Sequence, residues 1–586
     1  MLVLSRRLAA AAAFAFASLL SLPLHAAPPQ GPAYGLIVKL RTPQGREQAK
    51  AVGIAAPAAD EAGAQRERLN RVLQTQAAAL ARIAPAGARI ARPVGRAHLV
   101  QWDQPLAPEQ AEQAARALAA HEDVEWVDYN VRERRLDVPN DPEYPGQWWL
   151  HPVASGRHGV PGVETAWAQP GSARPVVVAV LDTGALFDHP DLVGTWIQPG
   201  YDFVTQPVFS GDGDGRDADA SDPGDAVTRT DRNANPGAFA DCPIEDSSWH
   251  GTKIAGQIAA RTGNGVGIAG VNGRVRILPV RVAGKCGALV QDIVDGILWA
   301  AGIEVAGVPP NPNPAKVINL SFGGPGPCSA SYQDAIDAIR AKGAVLVAAA
   351  GNEGGQVSRP ANCKGVVGVG ALNRNGFKAT YSNFGPEITI STVGGDPTGL
   401  GACGRLLGDP GLLTTANAGT VAPGAHVYDE VAGTSFAAPV VAGVISLMQS
   451  AASADLSPDQ IVEGLKRSAR PHVRSDDLGT CSSTNVGRCQ CTTGTCGAGI
   501  LDAEQAVRYA LDPGSYTPPS RQVVRVDNAD TAACRELTRH DGGDGGSGDE
   551  DDGGGGGGAL GWGWLAALGL VVIATAGARP WRRQPA

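Results

Sequence analysis

Three short segments of this chain carry side chains that could cooperate in acyl transfer. The apolar run Val176-Val177-Val178-Ala179-Val180-Leu181 ends in Asp182-Thr183-Gly184, and a carboxylate at the carboxyl end of a parallel strand stands on the ligand-binding edge of its sheet. His250-Gly251-Thr252 opens a stretch in which Ile254, Ala255, Ile258 and Ala259 recur at helical spacing, so the histidine stands at a helix start. Gly433-Thr434-Ser435-Phe436-Ala437-Ala438-Pro439 leads into the apolar stretch Val440 to Met448. That places the Ser435 hydroxyl at a helix N-terminus, where backbone N–H groups and the helix dipole favour developing negative charge. Singly, each residue has a plainer use: Asp182 in a turn or cap, His250 as a structural histidine, Ser435 as an N-cap. Together they supply a nucleophile, a base and an orienting carboxylate. A serine hydroxyl attacks poorly unless a base takes its proton; His250 would accept that proton and return it to the leaving amine. Asp182 would hold the imidazole in one tautomer and stabilise the imidazolium.

Such a trio needs a scaffold that brings distant segments to one edge. From Trp167 onward, short apolar runs alternate with helical stretches: Val176 to Leu181, Val317 to Leu320, Ala344 to Ala349 and Val366 to Val369, with Ala330 to Lys342 a helix that Gly343 terminates. Continuous apolar strands between helices indicate a parallel sheet covered on both faces. Asp-Thr-Gly also occurs in aspartic proteases, but those need a second aspartate motif, and none is present.

Aspartate, histidine and serine in this chain order, each with these flanks, resemble the subtilase family of serine proteases, over roughly 140–507. The resemblance implies an α/β, subtilisin-like three-layer fold with a mostly parallel sheet, and a serine endopeptidase acting on proteins or peptides. It implies further roles. Asn352, in Gly351-Asn352-Glu353-Gly354, would donate its amide to the oxyanion, although by itself it reads as a turn asparagine. Ser321, Phe322 and Gly323 would line the S1 pocket on a strand that pairs with an extended peptide. Two positions depart from the family pattern: Lys253 stands where a second histidine is usual, and Phe436 replaces the common methionine. The 68 residues from Asp182 to His250 exceed the gap of compact subtilases. A catalytically silent surface or adhesion protein on the same scaffold is the alternative from another class, and a calcium-binding structural module is a third reading.

The long gap holds Asp212, Asp214, Asp217, Asp219 and Asp222 in a Gly-rich loop. Clustered carboxylates repel unless they are solvated or bridged by a hard cation, and calcium takes 6–8 oxygens from such loops. The spacing is not that of an EF-hand, and a solvated acidic loop is the other reading. The family likeness implies a second structural calcium site at Asp191 and Asn264, with Asp141 as an N-terminal ligand.

Exported chains have oxidised cysteines. Cys242 with Cys286 and Cys328 with Cys363 are the preferred pairs, since each would tie a loop back across the active-site edge. Cys481, Cys489, Cys491 and Cys496 are close enough for two local bridges, with zinc as the alternative for that cluster, while Cys403 and Cys534 are left over.

The ends divide the chain further. Residues 1–26 have signal-peptide anatomy: Arg6 and Arg7, an apolar run from Leu8 to Leu22, and a cleavage position after Ala26. Residues 27–136 read as a small α+β unit resembling an inhibitor-type propeptide, with strands at Gly35 to Leu40, Ala97 to Trp102 and Val124 to Tyr129 and a helix after Pro108. Such a unit would assist folding of 137–511, the catalytic domain, and block its cleft until cut off between Tyr129 and Asn140. A Gly/Asp-rich linker is expected at 512–558. An apolar span long enough to cross a bilayer follows at 559–578, and a basic end at 579–586. This tail resembles the GlyGly-CTERM sorting signal of Gram-negative secreted proteins. That resemblance implies removal by a rhomboid-type protease; the expected location is extracellular or cell-surface, with the chain transiently or stably membrane-anchored by this segment.

The whole chain of 586 residues carries a formal charge of −9 and 18 % charged residues, which argues against a nucleic-acid binder and against charge-driven disorder. The negative charge is local: Asp202 to Asp246 holds 11 acidic and 3 basic residues.

Overall fold

The structure is a computed structural model that describes residues 32–41, 58–84, 87–131, 138–169, 174–198, 200–397 and 407–540. The expected signal segment 1–26, the span 559–578, the basic end 579–586 and Cys403 lie outside the described residues. The chain divides into two compact units, Met1–Leu136 and Asp137–Ala586.

In the first unit, four antiparallel strands pair in the order Arg89–Val94, Ala97–Gln101, Leu36–Leu40, Val124–Tyr129. Leu36, Val38 and Leu40 point to one face, as period-2 alternation requires. They meet Leu69 and Val72 of the helix Ala58–Thr75, and Ala111, Ala114 and Leu118 of the helix Pro108–Ala119. The latter starts where Pro108 occupies the first turn and the Gln110 side chain accepts from the Ala107 N–H at 3.0 Å. The paired helices Ala58–Thr75 and Ala77–Ile83 have no counterpart in the sequence expectation.

The second unit is built on seven parallel strands. Their order is Ile390–Val393, Val367–Leu372, Val345–Ala349, Val317–Leu320, Val177–Asp182, Arg276–Arg281 and Tyr201–Asp202. Their side chains feed two separate cores. Val178 and Val180 face the helices His250–Ala259 and Thr434–Ala451, while Ala179 and Leu181 face Val290–Ala300 and Ala330–Ala341. Burial on both faces explains why these strands read as unbroken apolar runs. The helix Thr434–Ala451 is apolar almost all round because it runs through the larger core, not because it crosses a membrane.

Chain order creates the functional edge. After Val177–Asp182 the chain adds two strands on one side, then returns to build four on the other. The reversal lies between Val177–Asp182 and Val317–Leu320, and ligand crevices form at the carboxyl ends of strands at such a switch point.

Disulfides join Cys242 to Cys286, Cys328 to Cys363, Cys481 to Cys489 and Cys491 to Cys496, and Cys534 is disulfide-bonded too. The cluster expected to hold either bridges or zinc therefore holds bridges. The linker expectation is corrected in part. Residues 512–540 belong to the fold: Val526 N–H donates to the Arg474 carbonyl at 2.8 Å, the helix Ala529–His540 follows, and Thr531 Oγ1 donates to Asp477 at 2.7 Å. Val526 and Cys534 are buried with Phe377, Val473 and the four clustered cysteines. One cystine, main-chain bonds and the side-chain bonds Thr531–Asp477 and Ser475–Asp527 hold most of this segment, and none of these leaves a sequence period.

Candidate active site

Asp182 is the last residue of its strand and is 1 % exposed. Its carboxylate receives the Thr183 N–H at 2.9 Å and faces His250 Nδ1 at 2.8 and 3.0 Å through its two oxygens. A nitrogen held between two carboxylate oxygens carries the proton, which leaves Nε2 as the basic nitrogen. His250 opens its helix, and the residue before it, Trp249, is buried with φ 51°, a left-handed backbone that is uncommon for a bulky residue. Three bonds hold that turn: Trp249 Nε1 donates to the Gly419 carbonyl at 2.7 Å, and Ser248 donates its N–H and hydroxyl to Asp225, both at 2.6 Å. The imidazole lies between the rings of Phe322 and Phe436, each with its centroid 5.3 Å away.

Ser435 is the second residue of its helix, so its N–H has no intrahelical acceptor. Four residues on, Pro439 cannot donate to the Ser435 carbonyl, and the Ser321 hydroxyl takes that place at 2.8 Å. In return, Ser435 Oγ donates to the Ser321 carbonyl at 3.0 Å. Buried Asn319 donates to Ser321 Oγ at 3.1 Å and fixes the pair. The proline of the Ser435 motif thus frees the carbonyl that locks the Ser435 helix to the neighbouring strand end.

Asn352 lies just past the strand Val345–Ala349 and is exposed. Its carbonyl oxygen accepts from both the N–H and the hydroxyl of Thr434, each at 2.9 Å. This leaves the Asn352 amide hydrogens uncommitted beside Gly433. Ser321, Phe322 and Gly323 continue past Val317–Leu320, and Gly324 exchanges main-chain bonds with Arg359 at 2.9 and 3.0 Å. A methyl on Gly323 would strike the Arg359 carbonyl.

The two acidic regions differ. Asp141 and Asp191 are buried in one loop cluster: Asp141 accepts from Gly263 N–H at 2.7 Å and Asn264 N–H at 3.0 Å, while Asp191 accepts from Ile268 N–H at 2.7 Å and Asn264 Nδ2 at 3.2 Å. Burial pushes the Asp191 carboxyl up to about 6, against the opposing hydrogen bonds, and Asp141 adds to the rise. Neither has an ion-pair partner among the described residues. Two buried carboxylates with no countercharge suit a hard cation.

In the long insertion, by contrast, the five aspartates do not converge. Asp212 pairs with the buried Arg281, Asp222 accepts from Thr183 Oγ1 at 2.7 Å, and Asp217 and Asp219 cap their own turns at 2.8 and 2.9 Å. Asp214 is exposed, and its N–H donates to Asp212 at 3.3 Å. Among the described residues no carboxylates gather as a group of three.

Sequence reasoning missed Arg281. It is 1 % exposed, opposite Asp182 in register, and pairs with Asp202 and Asp212 while its Nε donates to the Thr183 carbonyl at 3.2 Å. It ends an apolar run, Ile277-Leu278-Pro279-Val280, that could have been read as a strand. Thr183 and Thr434 were also missed, although each adjoins a residue of the trio.

Fold and site define a parallel-sheet α/β protein with a serine, a histidine and a carboxylate at the topological switch point. The model of the subtilase family matches residues 173–499, more than half of the chain, and the chain belongs to that family. It is 39 % identical over 416 residues to an extracellular protease of Xanthomonas campestris, covering 71 % of this chain and 64 % of that one. It is 37 % identical to an extracellular basic protease of Dichelobacter nodosus, covering 70 % and 63 %. The chain therefore spans a little under two thirds of the length of these relatives. Against Subtilisin Savinase of Lederbergia lenta the identity is 30 %, over 57 % of this chain and 91 % of that protein. Among solved structures, a protease from Pseudoalteromonas arctica aligns with a TM-score of 0.54 and 42 % identity, covering 64 % of this chain and 99 % of that one. The fold is subtilisin-like.

Proposed function

We propose that the protein is a secreted serine endopeptidase that cleaves peptide bonds through an acyl-enzyme on Ser435. The observation that carries this reading is the bond between His250 Nδ1 and both Asp182 oxygens, at 2.8 and 3.0 Å. It commits the imidazole to the tautomer whose Nε2 can accept a proton. In attack, Ser435 Oγ turns from the Ser321 carbonyl toward His250 Nε2, gives up its proton and adds to the scissile carbonyl. The oxyanion receives the Ser435 N–H and the Asn352 amide, whose other end is already anchored on Thr434. The imidazolium then protonates the leaving amine, and a water repeats the sequence to release the acyl group. Phe322 and Phe436 shield the imidazole from bulk water. The Ser321–Gly323 segment lies beside Ser435 and offers main-chain groups to an extended peptide.

The first unit serves as an inhibitor-type propeptide, removed by the enzyme's own activity between Tyr129 and Asn140. The C-terminal apolar segment directs export and is removed by a rhomboid-type protease. Asp141, Asp191 and Asn264 would hold structural calcium, which would supply countercharge and stability, not chemistry. The reading is tested by incubating the full chain with denatured casein. Cleavage and loss of the first unit are expected for wild type, and an uncleaved full-length chain for Ser435→Ala. Equal casein cleavage by both proteins would overturn it.

A further inference from the structure

The residues that hold Asp182 and His250 together include one that the reaction does not touch. Thr183 follows Asp182, and Gly251 follows His250. Thr183 Oγ1 accepts the Gly251 N–H at 3.0 Å and donates its own proton to Asp222 Oδ2 at 2.7 Å. The Gly251 N–H lies in the first turn of its helix, where no intrahelical acceptor exists. A hydroxyl has one proton, so the acceptor that takes it decides where the lone pairs point. Asp222 takes it, and the lone pair is left aimed at the His250 helix. Asp222 is itself fixed: it is 2 % exposed, its other oxygen accepts from Gly224 N–H at 2.9 Å, and its N–H donates to the Ala185 carbonyl at 3.1 Å. The segments are packed without slack, since a methyl at Gly251 would run into the Gly184 carbonyl and the Asp182 Cβ. A methyl at Gly184 would in turn meet the carbonyls of Ala220 and Ser221.

We propose that Asp222, acting through Thr183, is a positioning residue for the Asp182–His250 pair and not a calcium ligand. Both of its oxygens are engaged with Thr183 and Gly224, and the insertion that contains it is a brace built against the catalytic strand end. Burial raises the Asp222 carboxyl above its ordinary range, and nearby Asp225 adds to this. A short bond from Thr183 is the compensation such a carboxylate needs. The inference rests on the peptidase reading.

The test uses the full chain after self-processing, with kcat and KM measured on a peptide substrate for Thr183→Val, Thr183→Ser, Asp222→Ala and the Thr183→Val/Asp222→Ala double variant. Misplacement of a catalytic pair by about 1 Å costs on the order of 10²-fold. Thr183→Val is therefore expected to lose about 10–100-fold in kcat with KM within about threefold. Thr183→Ser, which keeps the hydroxyl, restores most of that loss. The double variant is expected to be no worse than the poorer single one, as coupled residues are. A kcat unchanged in Thr183→Val overturns the inference, as do losses that multiply in the double variant. A calcium-dependent rescue of Asp222→Ala overturns it too. If Asp222→Ala does not fold, the Thr183 pair alone decides. A wild-type chain that cleaves no peptide sinks the peptidase reading instead, so the two failures are distinct.

Discussion

Asp212 and Asp222 lie in a strongly acidic stretch of the chain, yet each has a partner of its own: buried Arg281 for one, the Thr183 hydroxyl for the other. Asp141 and Asp191 come from stretches with no comparable density of charge, yet they meet in the interior with only neutral donors around them, backbone and amide N–H groups and the Tyr428 hydroxyl. Density of carboxylates along a chain reports solvation and local turns. The need for a cation arises where burial removes water and supplies no countercharge. The comparison moves the calcium expectation from the conspicuous region to the inconspicuous one.

Four measurements would break or sharpen that contrast. The largest effect is expected from Arg281→Met, which leaves Asp202 and Asp212 without their shared cation. Loss of one partner from a buried pair costs about 3–5 kcal/mol, and urea unfolding should show a loss of that size that calcium does not repair. Next, calcium at about a hundredfold over its dissociation constant should stabilise the wild type by about 2.7 kcal/mol. Asp191→Asn should abolish that gain, so a calcium response retained in Asp191→Asn would return the site to the insertion.

A third effect comes from a buried cation elsewhere in the unit. Lys378 is 1 % exposed and donates to the carbonyls of Ala379, Thr380 and Ser382 at 2.9, 3.2 and 2.9 Å. Burial pushes it down to about 7, opposed by Asp396 and helped by Arg488. Between that value and the ordinary lysine range the unfolded chain holds the extra proton, so stability rises with pH there. It falls again as pH drops toward 7. In unfolding measurements, Lys378 alone should make the chain about 2 kcal/mol more stable at pH 9 than at pH 7, at roughly 1.4 kcal/mol per unit, and Lys378→Met should lack that contribution. The smallest effect is expected from Asp214→Asn in the exposed loop, within about 0.5 kcal/mol and with the calcium response intact.

Much of the site was legible because its residues sit at punctuation points. Asp182 ends a strand, and His250 and Ser435 open helices, positions that apolar periodicity marks directly. Asn352 was legible only through resemblance, since a turn asparagine has no signature until Thr434 is seen holding its carbonyl. Arg281 was not legible, because a buried arginine depends on carboxylates 79 and 69 residues away in sequence. The central strands were legible as apolar runs, while the packed segment 512–540 was not, since a cystine, main-chain bonds and side-chain bonds to Asp477 and from Ser475 leave no period to read. Pro439 shows how one residue type can look wrong locally and be right in place: inside a helix it removes a bond, and that removal opens the Ser435 carbonyl to Ser321.

The central claim is that Ser435 is a nucleophile activated by His250. Mass spectrometry of the self-processed protein after treatment with a fluorophosphonate tests it most directly. The account predicts a single adduct on the peptide containing Ser435, lost in His250→Ala. No adduct on that peptide, or an adduct that forms equally well in His250→Ala, would contradict it.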